Sequence, residues 1–402
     1  MNDLLVFALL FAAIAIGWYL GRRSASSAGV ASPEMPGEYY KGLNYLLDGR
    51  PDGAVDAFIQ ALEVNSETLE THIALGNLLR KKGEVDRAIR IHQNLLARPS
   101  LPRGQVHLAH LELARDYISA GLLDRAERLL LDLVRESPEQ RLASQQHLLE
   151  IYQSEREWQS AIEVANELLP RRPLLGGAVG ADGETGQPVA VALSHFYCEL
   201  AVQKLESGDL GSARSLLQQA IARDRQCVRA SLMLGEVESR DGNFKKAVKA
   251  LRNVRQQDPD YLPETIATLR ECATELGDGV AFKIYLEECL EAAPSPALVM
   301  AVAEDLVQFE GGEAAGEFLS SQLAESPSLR GLAKLISLQL DASDGRERED
   351  LGLLQVLVNR LIAERPSYRC NHCGFSGRHL HWSCPGCKQW GTIKTIRGSA
   401  AE

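Results

Sequence analysis

Gly42, Gly49, Ala54 and Ala61 are followed thirty-four residues later by Gly76, Gly83, Ala88 and Leu95, and this self-similarity limits the fold more than any other feature of the 402-residue chain. The same spacing returns at Ala201, Gly208, Ala213 and Ala220, matched by Gly235, Gly242, Ala247 and Val254. A stack of helix pairs needs this pattern: small residues where the two helices of a pair cross, and large ones such as Phe58 filling the gap to the next pair. Weaker echoes occur at Gly121 and Ala126, at Trp158 and Ala161, and around Gly277, Ala281, Gly311 and Ala315. Pro138 and Pro259 punctuate the ends of second helices, which proline cannot continue.

A thirty-four-residue period is that of tetratricopeptide repeats. The pattern therefore predicts an all-α solenoid over residues 38–363, with six clear repeats, two degenerate ones, and capping helices near 329–341 and 347–363. Tyr39, Tyr40, Phe58, Tyr117, Trp158, Phe196, Tyr197 and Phe244 read mostly as repeat core. One glycine-rich stretch, residues 171–188, interrupts the array. It lacks a Gly-Lys-Ser/Thr ending and a preceding strand, so it reads as a loop between two halves of the solenoid and not as a phosphate loop. Such an array offers an extended surface for a peptide or another protein.

With 45% hydrophobic residues the chain can bury a large core, and its formal charge is −11. Residues 369–402 carry five Lys/Arg and one Glu, a local balance of +4 that leaves −15 for the rest. An acidic body argues against broad nucleic-acid binding. The basic residues of the tail, Arg369, Arg378, His379, His381, Lys388, Lys394 and Arg397, read as a rim matched to the acidic repeats.

Residues 4–20 run LLVFALLFAAIAIGWYL without a charge and are followed by Arg22 and Arg23. At about 1.5 Å per residue this run approaches the length of a bilayer core, and Trp18 and Tyr19 suit the headgroup region. A cleaved leader would carry its positive charge before the apolar run, where only Asp3 stands. The expectation is a transmembrane anchor over 1–22 and a polar linker over 23–37. Basic residues after the span put the bulk of the chain on the cytoplasmic side.

The chemistry lies near the other end, in Cys370-Asn371-His372-Cys373 and Cys384-Pro385-Gly386-Cys387. Two residues between cysteines form a tight turn that points both sulfurs at one ion, and two such turns complete a tetrahedron. Cys370, Cys373, Cys384 and Cys387 are thus the metal ligands, with zinc as the default occupant. Iron in the same cage would instead carry electrons. Gly374 and Gly386 fall where backbone must pass close to sulfur or take positive φ. Four protein thiolates leave no position for water, so the site supports folding and not catalysis. Cys198, Cys227, Cys272 and Cys289 read as buried apolar residues. His107 and His110 share a helix but lack a third ligand, and no motif indicates an enzyme.

In combination, the apolar span with Arg22-Arg23, the repeats from Gly42 onward, and Tyr368-Arg369-Cys370-Asn371-His372-Cys373-Gly374-Phe375 with Trp382-Ser383-Cys384-Pro385-Gly386-Cys387 resemble the lipopolysaccharide assembly protein B family of Gram-negative bacteria. The resemblance covers essentially the whole chain. It implies a single-pass protein of the cell inner membrane that faces the cytoplasm, with a rubredoxin-like module at 364–397 packed against the repeats. It further implies an adaptor that regulates lipopolysaccharide biosynthesis and works with other lipopolysaccharide assembly proteins. That adaptor would bring the lipid A-committing deacetylase to the membrane-anchored ATP-dependent protease FtsH. Ten residues between the cysteine pairs, and Lys388 where a glycine often follows the last cysteine, depart from a full rubredoxin. The alternatives are a redox protein with iron at the four cysteines and a generic membrane-tethered repeat scaffold; whether the chain forms a homodimer stays open.

Overall fold

The computed structural model describes residues 40–41, 44–45, 47–48, 53, 57, 69–97, 101–169 and 188–396. The expected anchor, the linker, most of the first repeat, the insertion up to residue 187 and the chain beyond 396 lie outside the described residues. Among the described residues no helix is long and apolar enough to cross a membrane.

The chain divides into two compact units, Met1–Leu129 and Leu130–Glu402. In the first, α1 (Leu69–Lys81) pairs with α2 (Val85–Leu96), followed by α3 (Arg103–Ser119); α4 (Leu123–Glu136) runs into the second unit. The second unit continues with α5 (Arg141–Glu155), α6 (Trp158–Leu168), α7 (Val189–Glu206), α8 (Leu210–Arg223), α9 (Val228–Arg240), α10 (Phe244–Arg252) and the short α11 (Val254–Gln257). A 3-10 segment, Pro259–Thr265, leads into α12 (Ile266–Leu276) and α13 (Gly279–Ala292). Then come α14 (Pro296–Phe309), α15 (Gly312–Glu325), α16 (Leu329–Ala342) and α17 (Gly345–Glu364). The two last helices lie where capping helices were expected.

The repeat signature has a direct steric meaning. A Cβ on Gly235 of α9 would lie 2.5 Å from Leu251 Cγ of α10, and a Cβ on Gly76 of α1 would lie 2.5 Å from the His92 ring of α2. In both pairs the partner follows sixteen residues later, so glycine sets how closely the helices cross. Gly235→Ala is expected to cost about 1–3 kcal/mol by overpacking, because Leu251 is only 1% exposed and has nowhere to move. A fall in the denaturant midpoint of the purified protein would register it.

In the first unit the same crossing carries charge. Buried His92 meets Asp116 at 2.5 Å, and Arg80 reaches both Asp116 at 2.6 Å and Glu112 at 2.8 Å. Burial of such groups is tolerated because each is paired. In the second unit an apolar cluster runs through Val228, Leu251, Tyr261, Leu262, Leu269, Phe282, Leu286 and Leu298. Between the helices of a pair the chain turns through left-handed residues such as Gly208 and Gly242, and in the α5–α6 turn Arg156 takes that conformation at φ 59°.

The helical pattern breaks after α11. Asp258 is extended and its carboxylate accepts from the Asp260 amide, while Pro259 and Pro263 remove two donors that an α-helix would use. The resulting 3-10 ledge buries Tyr261 and Leu262. After α17 no further helix occurs among the described residues. Three short strands, β1 (Tyr368–Cys370), β2 (Ser376–Gly377) and β3 (Ile393–Thr395), form an antiparallel sheet in the order β2-β1-β3.

Candidate metal centre

The two cysteine loops are built alike. In the first, the Gly374 amide donates to the Cys370 carbonyl at 3.0 Å and the Cys370 amide to the Phe375 carbonyl at 2.7 Å; in the second, Lys388 donates to Cys384 at 2.8 Å and Cys384 to Gln389 at 2.9 Å. The residue after each second cysteine has positive φ, 79° at Gly374 and 59° at Lys388. The second loop thus reaches the same turn without the glycine, and lysine bears the strain of the left-handed region. A Cβ on Gly386 would lie 3.2 Å from Cys373 Sγ, so the second loop is glycine where it passes the first loop's sulfur.

These turns bring Cys370, Cys373, Cys384 and Cys387 together with all four sulfurs within 4.8 Å of one another. Cys370 Sγ is 3.8 Å from Cys387 Sγ, and Cys373 Sγ is 3.6 Å from Cys384 Sγ. A tetrahedron with metal–sulfur bonds of about 2.3 Å has edges of about 3.8 Å, so the sulfur set fits a four-coordinate ion with no further ligand. Burial pushes the Cys370 thiol up, but the Thr392 hydroxyl and the Cys373 and His372 amides outweigh it and bring the pKa down to about 6. At Cys384 burial dominates and pushes the thiol up to about 12. A cation is what such a set of sulfurs needs in order to be held as thiolates.

The metal module is seated on the second unit's helices. Trp390, 4% exposed, stacks on His195 with ring centroids 4.9 Å apart and meets Phe196 and Trp158 edge-on at 6.0 and 6.3 Å. Trp382 stacks on Tyr261 at 5.4 Å. The ledge supplies the polar contacts: the Tyr261 hydroxyl donates to the Ile393 carbonyl at 2.7 Å, and Thr395 to the Asp260 carbonyl at 3.0 Å. Lys394 lies 2.7 Å from Asp258 and 3.0 Å from Asp260, and Tyr368 donates to Glu264 at 2.8 Å. Lys394 therefore belongs to a rim matched to acidic repeat residues.

His195 is an aromatic plate and not a ligand. Burial, reinforced by the Arg229 guanidinium, drops its pKa from 6.5 to about 3, so it docks Trp390 as a neutral ring. With the folded-state value depressed, the unfolded chain takes the proton first. The contribution is complete above about pH 6.5 and is lost progressively as pH falls towards 3. His195→Phe should flatten that part of the stability profile relative to the wild-type chain, as read from denaturant midpoints at successive pH values.

The sequence family described as Rubredoxin metal binding domain matches residues 368–395, and the one described as Tetratricopeptide repeat matches 204–265 and 71–105. Lipopolysaccharide assembly protein B of Escherichia coli strain K12 is 39% identical over 396 residues, covering 98% of each chain. Its counterpart in Haemophilus influenzae is 38% identical over 402 residues, again covering 98% of each. The chain belongs to the lipopolysaccharide assembly protein B family. A solved Naa15/Naa10 complex with HypK-THB aligns at a TM-score of 0.43 and 14% identity, over 81% of this chain and 46% of its own.

As a member of the lipopolysaccharide assembly protein B family, the chain carries helical repeats and a rubredoxin-like metal site, the two joined within its second unit. Among the described residues, the four cysteines are the one group of three or more potential metal ligands that the fold gathers. His107 and His110 share α3 and belong to no such group among the described residues. The other four cysteines are buried, as expected, but Cys198 and Cys227 come into hydrogen-bond contact, which their spacing does not reveal. Tyr117, Trp158, Phe196 and Tyr197 are buried, whereas Tyr40 is 58% exposed and does not belong to the core. Trp158 and Phe196 also form the floor under Trp390, and His195 and Tyr261 were not singled out from sequence at all. The one sequence signal for His195 is its place beside Phe196 and Tyr197, and Tyr261, between Asp260 and Leu262, has none.

Proposed function

We propose that the chain is an adaptor tethered to the inner membrane, with its folded part on the cytoplasmic side, that delivers the lipid A-committing deacetylase to the protease FtsH. The observation that carries this reading is the near full-length similarity to proteins named Lipopolysaccharide assembly protein B. The repeats support it, because stacked helix pairs hold protein partners. The uncharged run at 4–20 with Arg22 and Arg23 after it supports the tether and its orientation. We read the parts as an anchor at 1–22, a linker at 23–37, the repeats at 38–363 and the metal module at 364–397. Tethering beside a membrane protease raises the effective concentration of a delivered client without any new contact.

Zinc is the occupant we assign to the four cysteines, holding the module in one docking geometry; the adaptor role asks for no catalytic group. When bound, the ion neutralises the thiolates and closes the two loops. The chain's own residues do the rest: Thr392 steadies Cys370, and Trp390 and Lys394 seat the module. Purified protein should contain one zinc per chain and be colourless, whereas a red protein with a visible charge-transfer band would mean iron.

The test in cells follows the deacetylase's half-life with the full chain, after depletion, and with a form lacking residues 1–22. Tethered delivery requires the half-life to lengthen on depletion and to stay long with the anchorless form. A deacetylase indifferent to depletion would sink the proposal.

A further inference from the structure

The outer face of α17 is unusual for the last helix of a repeat array, which ordinarily turns polar residues to water. Leu351, Gly352, Gln355, Val358 and Ile362 lie on the sheltered face, and α17 packs against α16. On the opposite face Leu353 is 62% exposed and Leu357 50%, flanked by Leu354 and Leu361 at 49% and 46%. These side chains form one patch, not a scatter of single exposed residues.

The patch has an order. Arg346, Asp350, Leu353, Leu357, Arg360 and Glu364 are spaced four, three, four, three and four residues apart, and all are exposed. At about 100° per residue this spacing places all six along one line, in the 3.5-residue rhythm of a helix–helix seam. Read forwards the line is basic, acidic, apolar, apolar, basic, acidic. Read backwards, every basic position meets an acidic one and every leucine meets a leucine. A second α17 laid antiparallel, with a two-fold axis level with Gln355, sets Arg346 against Glu364, Asp350 against Arg360 and Leu353 against Leu357. Each pairing occurs twice, as an isologous contact requires.

We propose that α17 is a self-association surface, pairing antiparallel with α17 of a second copy of this chain about that axis. The charge pattern selects this occupant over a lipid surface. The helix carries three arginines and four acidic residues, so it has no cationic excess to attract anionic headgroups. Within the chain Arg360 lies 3.5 Å from Glu364, with both side chains largely in water. An exposed pair of that kind contributes little and leaves both groups available to a partner. A twenty-residue helix is about 30 Å long, so the contact is small and self-association falls in the micromolar range.

The test is sedimentation equilibrium of the full chain in density-matched non-ionic detergent. The weight-average mass should climb from one 44.0 kDa chain towards two as concentration rises. Leu353→Glu with Leu357→Glu should weaken association at least tenfold, with far-UV circular dichroism unchanged. Arg346→Glu alone should also weaken it, by setting like charges against Glu364, and adding Glu364→Arg should restore it. A merely structural effect of the first change would not be rescued by the second. A mass of one chain throughout, indifference to the leucine changes, or a double swap as weak as the single would each overturn the proposal. So would a monomer whose binding to anionic phospholipid vesicles is lost in the leucine variant, since the face would then belong to lipid.

Discussion

Replacing Cys384 with serine is expected to release the metal and unfold the C-terminal module while leaving the helices in place. The three strands hold three, two and three residues, far below what stands alone in water. The module's own buried cluster amounts to Cys370, Cys384 and Ile393. So small a core leaves metal binding as the main source of its stability, and structural zinc sites supply about 10–16 kcal/mol at neutral pH. Three remaining thiolates would hold the ion weakly, and the apolar faces of Trp390 and Trp382 would lose their seat. Metal content by mass spectrometry should fall well below one per chain, and tryptophan emission should shift to the red. Helical circular dichroism should change little, because the matched module covers only residues 368–395. A serine variant with a full metal complement and unshifted emission would show that the four sulfurs do not act as one closed site.

Trp390→Ala is expected to separate docking from metal binding. Trp390 is not a ligand, but it fills the space between His195, Phe196 and Trp158. Emptying a buried site of that size costs about 3–5 kcal/mol. Metal should stay bound at one per chain, because both cysteine loops close through their own backbone hydrogen bonds. The Lys394 ion pairs and the Thr395 hydrogen bond face partly open water, and with the single buried Tyr261 hydrogen bond they cannot replace the lost aromatic contact. Faster hydrogen exchange across 368–395, together with a lower denaturant midpoint and unchanged metal content, is the expected outcome. Loss of metal in this variant would mean that the docked repeats hold the site together, and that the loops do not suffice.

Much of this was legible along the chain because it depends on short-range geometry. Gly76 and Gly235 announce helix crossings, since a close approach sixteen residues away excludes a side chain. The cysteine spacing announces a tetrahedron, since two intervening residues fix where the second sulfur points. Even Lys388, where glycine was missed in the sequence, keeps the positive φ that the loop needs, so the turn outweighs the residue's preference. Short-range pattern along the chain therefore specifies the repeat architecture and the set of sulfurs that can meet one ion. Where the metal module sits is settled by long-range packing instead. Tyr261 meets Ile393 across 132 positions, and His195 meets Trp390 across 195, with no period or motif linking them. The same holds for Trp158 and Phe196, whose burial is as well explained by repeat packing as by a docked module. Docking is chosen by the fit of surfaces that exist only once the helices have stacked, and spacing along a chain carries no record of such a fit.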